Sequence, residues 1–119
     1  MIFIPWNVYV IFIQSQDKDK ICVCFHSDPS AKFFYINSFQ YQEAEFNIKI
    51  NPSHHQAITR LCYLNLNQKV ELPDSDLTTA RDRGPLPKEI IDSVRPALMI
   101  GPSYLSERHK NMAISTLPN

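Results

Sequence analysis

"KICVCFHSDPSAKFFYINS", residues 20–38, holds two apolar runs on either side of a polar turn. The first is Ile21-Cys22-Val23-Cys24-Phe25 and the second is Phe33-Phe34-Tyr35-Ile36. Short runs rich in β-branched and aromatic residues, bounded by turn residues, read as strands. Asp28-Pro29-Ser30 supplies the turn chemistry. The segment is therefore expected to form an antiparallel hairpin. Residues two apart on a strand share a face, so Cys22 and Cys24 look the same way and read as small buried hydrophobes. Antiparallel pairing brings Lys20 and Ser38 to the open end of the hairpin. It leaves His26 at the opposite end, near the turn.

Working outward, Val8 to Ile13 reads as a buried strand before a polar turn, Gln14 to Asp19. Ser38 to Glu45 is polar and reads as a loop. Phe46, Ile48 and Ile50 alternate with polar residues and predict a half-buried strand. A turn at 51–55 and a strand over Leu61–Leu66 follow, with Val70 and Leu72 as a last short strand. Asp74 to Arg83 is charged and reads as a solvated connection. Beyond it, Leu86, Ile90, Val94 and Leu98 fall on one helical stripe. Pro87 suits the first turn, Pro96 is expected to break or kink the helix near Arg95, and Gly101-Pro102 stops it. A second helix is expected from near Ser103 to Met112, with Leu105, His109 and Met112 as its stripe. Strands first and helices last predict a mainly β (β+α) fold: a small, strongly bent antiparallel barrel with a C-terminal helix or helix pair. A single domain over residues 1–119 is expected, with barrel strands in 6–72, a polar connection in 73–85 and a helical element in 86–113.

Composition removes several function classes. Twelve basic side chains balance twelve acidic ones, so global charge gives nucleic acid no support, although a local basic patch is compatible with it. Two glycines against nine prolines leave no Gly-rich phosphate loop and no dinucleotide fingerprint. Three cysteines, one C-x-C pair and a lone Cys62, match no zinc pattern and point to a reducing, cytoplasmic setting. No metal and no cofactor are expected. The apolar start, MIFIPWNVYVIFI, lacks the parts of a signal peptide and is too short to span a membrane.

The element order resembles the PemK/MazF-like toxins of toxin–antitoxin systems. Asn7-Val8-Tyr9-Val10-Ile11 is similar to that family's opening strand, and Lys18-Asp19-Lys20-Ile21-Cys22-Val23 to its charged turn and second strand. Asn37-Ser38 closes the third strand where the family often has Ser or Thr. Thr59-Arg60-Leu61-Cys62-Tyr63-Leu64 is similar to a later strand, and Gly84-Pro85-Leu86-Pro87 to the start of the helix. The resemblance implies an SH3-like barrel, metal-independent endoribonuclease activity, a homodimer and neutralisation by an antitoxin protein. Lys20 stands where ribonuclease members carry an arginine, and a lysine lacks the bidentate fork. A non-catalytic barrel that binds protein or nucleic acid is the alternative, and an interaction protein of unrelated ancestry a further one.

Metal-free RNA cleavage needs a base, an acid and cations for the phosphorane charge. Lys20 and Ser38 match the family pattern and are the expected catalytic pair: Lys20 for the developing charge, Ser38 for a hydrogen bond to the phosphate or 2′-OH. The bland alternative is an edge lysine and a turn serine. Lys18, His54, His55, Arg60 and Tyr63 are the expected RNA-binding residues, with surface polarity before a strand as the competing reading of the histidines. Trp6, Tyr9, Phe33, Phe34 and Tyr35 either stack bases or form core, and core is expected. Arg81-Asp82-Arg83 and Arg108-His109-Lys110 are short basic clusters that meet phosphates, meet an acidic partner or simply face solvent.

Overall fold

The computed structural model describes residues 2–41 and 43–119; Met1, at the head of the apolar start, and Gln42, inside the 38–45 loop, lie outside the described residues. Six strands form one sheet: β1 (Asn7–Ile13), β2 (Lys18–His26), β3 (Lys32–Asn37), β4 (Asn47–Ile50), β5 (Cys62–Asn65) and β6 (Arg81–Pro85). Three helices accompany them: α1 (Asp74–Leu77), α2 (Lys88–Ile100) and α3 (Glu107–Thr116). The strand order is β4-β5-β3-β2-β1-β6, and every ladder is antiparallel.

The expected hairpin is present, with Val23 opposite Phe34 and Cys22 opposite Tyr35. The expected barrel is not. β4 and β6 lie at opposite edges of an open sheet, and no ladder joins them among the described residues. This overturns the SH3-like barrel and the likeness to the PemK/MazF toxins that implied it. Closing a small sheet needs strong bending, supplied by bulges and glycine kinks. Here the central strands β1 to β3 carry no glycine, and the register shifts sit near strand ends, at Asn7/Tyr9 and Cys24/His26.

Instead, the sheet is covered on both faces. Val8, Val23 and Phe34 are in register on one face, while Tyr9, Cys22 and Tyr35 are in register on the other. The first face packs on Ile90, Ile91, Val94 and Leu98 of α2 and Ala113 of α3. Phe25 and Phe34 stack there with ring centroids 4.3 Å apart. The second face is covered by Phe3, Val70, Leu72, Leu77 and Ala80. Cys22, Cys24 and Cys62 are buried free thiols, and burial pushes Cys22 up to about 12 and Cys24 up to about 11. Of the five aromatics expected in the core, Trp6, Tyr9, Phe33 and Phe34 are buried and Tyr35 is only half-buried.

The segment read as a solvated connection contains α1 and the edge strand β6. Polar side chains build that strand: Asn7 Nδ2 donates to Asp82 at 3.1 Å, and Arg81 pairs with Asp19 at 3.1 Å. Val70 and Leu72 form no strand; Val70 makes a single bridge to Phe33. Helix α2 runs through Pro96 to Ile100 rather than breaking at Arg95. Pro96 and Asp92, the residue whose carbonyl the proline leaves without its helical donor, are both exposed. Buried Ala97 and Leu98 favour continuing the helix. Helix α3 starts four residues later than expected because Ser106 caps it, its Oγ accepting from the His109 backbone N–H at 3.1 Å. No helix among the described residues is long and apolar enough to cross a membrane.

One contact ties the last helix to the sheet. Trp6 Nε1 donates to Thr116 Oγ1 at 2.9 Å, and that hydroxyl donates to the Phe25 carbonyl at 2.5 Å. Replacing Thr116 by Val leaves a buried indole donor and a strand carbonyl unmatched. Urea denaturation should show a loss of about 1–3 kcal/mol, against about 0.5 kcal/mol or less for exposed Ser115→Ala. Equal losses would contradict the tether.

Candidate functional site

The open end of the β2–β3 hairpin, like its turn, lies outside the core. Strand alternation puts Lys18 and Lys20 on the same face as Cys22, and Asn37 on the same face as Tyr35. Lys20 Nζ donates to Asn37 Oδ1 at 2.9 Å and lies 4.7 Å from the centroid of the Tyr35 ring. The amide and the ring hold the ammonium in place. Burial, and next the charge of Lys18, lower the Lys20 pKa below the ordinary lysine value.

After Asn37 the chain leaves the sheet as a loop carrying two exposed aromatics. Phe39 is 55% and Tyr41 47% exposed, and their rings pack 4.7 Å apart at 45°. The buried Asn47 amide fixes the loop: its Oδ1 accepts from Tyr41 N, and its Nδ2 donates to the Tyr41 and Glu43 carbonyls at 3.4 and 3.2 Å.

Three clefts run across this region and share walls. The central one, about 310 Å³, is lined by Lys18, Lys20, Tyr35, Ser38, Phe39 and Tyr41 among others. A second, about 270 Å³, shares Lys18, Lys20, Asn37 and Ser38 with it and adds Thr59 and Arg60. A third, about 280 Å³, shares Tyr41, Asn65 and Gln68 with the central cleft and adds Tyr104, which is 61% exposed. A track therefore runs from Arg60, past the two lysines, to a row of exposed aromatic rings. Asp19, the carboxylate between the lysines, is paired with Arg81.

Lys20 and Ser38, the expected pair, line one cleft together with Lys18 and Arg60. The other expected RNA-binding residues do not join them. His54 Nδ1 accepts from the Asn51 N–H at 2.9 Å and its Nε2 faces Glu89 at 3.3 Å. His55 is buried, with Nδ1 accepting from Ala57 N–H at 3.0 Å and Nε2 3.3 Å from the Gly84 carbonyl. Both histidines fasten the 51–57 turn to α2 and β6. Tyr63 sits on β5 and lines none of the three clefts. His26 accepts from Asp28 N–H at the far end of the hairpin. Phe39, Tyr41, Tyr104, Asn65 and Gln68 were not singled out by sequence. The readable signal was Phe39-Gln40-Tyr41, two rings spaced to share one side in an otherwise polar loop. Among the described residues, no group of three or more His, Cys, Asp or Glu side chains is placed to hold a metal ion.

The chain matches no protein-family model and no curated protein. With the sheet open as well, the toxin, endoribonuclease and SH3-like barrel assignments taken from the resemblance are withdrawn.

The site makes a direct electrostatic prediction. The ¹³Cε resonance of Lys20 should titrate below the ordinary 10.5. Lys18→Gln should move it upward, since a neighbouring positive charge is removed. Titration of Lys20 at or above 10.5 would contradict the enclosed geometry.

Proposed function

We propose that the chain is a non-catalytic binding module for single-stranded nucleic acid. The observation that carries this reading is Lys20, held between Tyr35 and Asn37, with a cleft on either side of it: exposed rings along one, Arg60 in the other. Proteins that bind single strands combine a cationic groove for the backbone with aromatic faces on which bases stack. Both components occur here on one track. Lys18, Lys20 and Arg60 meet phosphates; Phe39, Tyr41 and Tyr104 offer faces for bases; Asn37, Asn65 and Gln68 offer amides for base edges or sugar hydroxyls.

Each cleft is near the lower end of ligand-pocket volumes, which suits one nucleotide unit. Their shared walls favour a chain of such units over an isolated small molecule. A duplex is a poorer fit, because it calls for a broad basic surface and this protein is neutral overall.

Fluorescence polarisation with short labelled RNA and DNA oligomers tests the reading. Phe39→Ala or Tyr41→Ala should cost about 1–3 kcal/mol of binding. With three phosphate contacts the logarithm of affinity should fall with that of salt at a slope of about −2, and Lys20→Ala should reduce the slope by about 0.7. No binding by either oligomer type at low salt would sink the proposal.

A further inference from the structure

A fourth cleft, about 470 Å³, opens on the other side of Tyr35 and Gln16, both of which also line the central cleft. Its walls include Ile13, Val70, Leu72 and Pro73, and Asp76 lines it too. Asp76 is 3% exposed. Its carboxylate accepts one hydrogen bond, at Oδ1 from the Gln14 N–H at 3.2 Å, and no cation pairs with it among the described residues. Glu71, the other carboxylate of this cleft, differs: it pairs with Lys32 at 3.6 Å and Lys69 at 3.4 Å. Buried carboxylates are ordinarily matched by cations or by several N–H donors, because the desolvated charge is otherwise costly. Asp76 has acceptor capacity left over in a cleft of mixed lining, with Gln14, Ser15, Gln16 and Ser75 beside the apolar residues and the Tyr35 ring at its edge.

We infer that this cleft takes a guanine base of the bound strand, its N1–H and N2–H donating to the Asp76 carboxylate; the inference rests on the single-strand reading above. Guanine is the one standard base with two adjacent donors on its Watson–Crick edge. Adenine and cytosine present one donor beside an acceptor, and uracil one donor between two acceptors, which a carboxylate repels. The Tyr35 ring and the side chains of Ile13, Val70, Leu72 and Pro73 offer faces for a purine, and Gln14, Ser15 and Ser75 offer polar groups for its edges. The shared wall of Gln16 and Tyr35 lets the sugar-phosphate chain pass from the Lys20 cleft into this one.

The test compares a short oligouridylate with the same oligomer carrying one central guanosine, adenosine, cytidine or inosine. Wild-type protein should bind the guanosine oligomer roughly 5- to 150-fold more tightly than the adenosine or cytidine one. Inosine, which lacks the N2 donors, should fall between. Asp76→Asn should abolish the preference and leave oligouridylate affinity within about twofold, since the lysines and exposed rings are untouched. Equal affinity of wild-type protein for guanosine, inosine and adenosine would overturn the guanine cleft while sparing the single-strand reading. Failure of every oligomer to bind would overturn both. The inosine comparison needs no variant, so it decides the matter even if Asp76→Asn does not fold.

Discussion

Burial of the β2–β3 hairpin on both faces is the constraint from which the rest of the molecule follows. Cys22 to Phe25, and Phe33 and Phe34, are all fully enclosed, with alternate side chains serving opposite faces. Every position in the middle of the hairpin is taken by packing. Polar chemistry is confined to its ends. At the turn end, Lys32 turns back on Ser30 and Glu71. At the open end, Lys20 reaches across to Asn37 and the Tyr35 face, and a loop carrying Phe39 and Tyr41 departs beside it.

That arrangement reconciles a neutral chain with a cationic site. Five of the other nine cations are paired locally: Arg81 with Asp19, Lys32 and Lys69 with Glu71, Lys88 with Asp92, Lys110 with Glu107. Pairing Asp19 away from the two lysines flanking it leaves a positive spot on a protein with no net charge. Binding that relies on so few cations depends on stacking and base contacts for the rest of its free energy. The exposed rings and the uncompensated Asp76 then belong to one account.

The hairpin, the order of strands before helices and the stripe of α2 were legible in residues 20–38 and 86–98. The sheet is open where the sequence predicts a barrel, because a short continuous apolar run fits a barrel strand as readily as a strand of a layered sheet. Unbroken burial over Cys22–Phe25 signals a strand covered on both faces, a layered sheet. Strand β6 was hidden because its pairing is held by Asp82 and Arg81, not by apolar side chains. Pro96 does not end α2 because it lies on the exposed side of the helix, while Ala97 and Leu98 beyond it are buried. At the site, antiparallel pairing of the hairpin speaks only to Lys20 and Ser38; that Lys18 and Arg60 line a cleft with them depends on the tertiary structure. The partners of His54 and His55, Glu89 and the Gly84 carbonyl, are distant in sequence. Asp76 could not be picked out, because nothing local distinguishes an enclosed aspartate from the exposed Asp74 beside it.

The central claim is that one track, from Arg60 past Lys20 to Tyr104, holds a single strand. Amide and side-chain NMR shifts during titration with a guanosine-containing oligouridylate test it most directly. The account predicts that perturbations concentrate on Lys18, Lys20, Tyr35, Phe39, Tyr41 and Tyr104, with Asp76 responding only when guanosine is present. Perturbations centred instead on the exposed face of α2, or on His54 and the 51–57 turn, would contradict it.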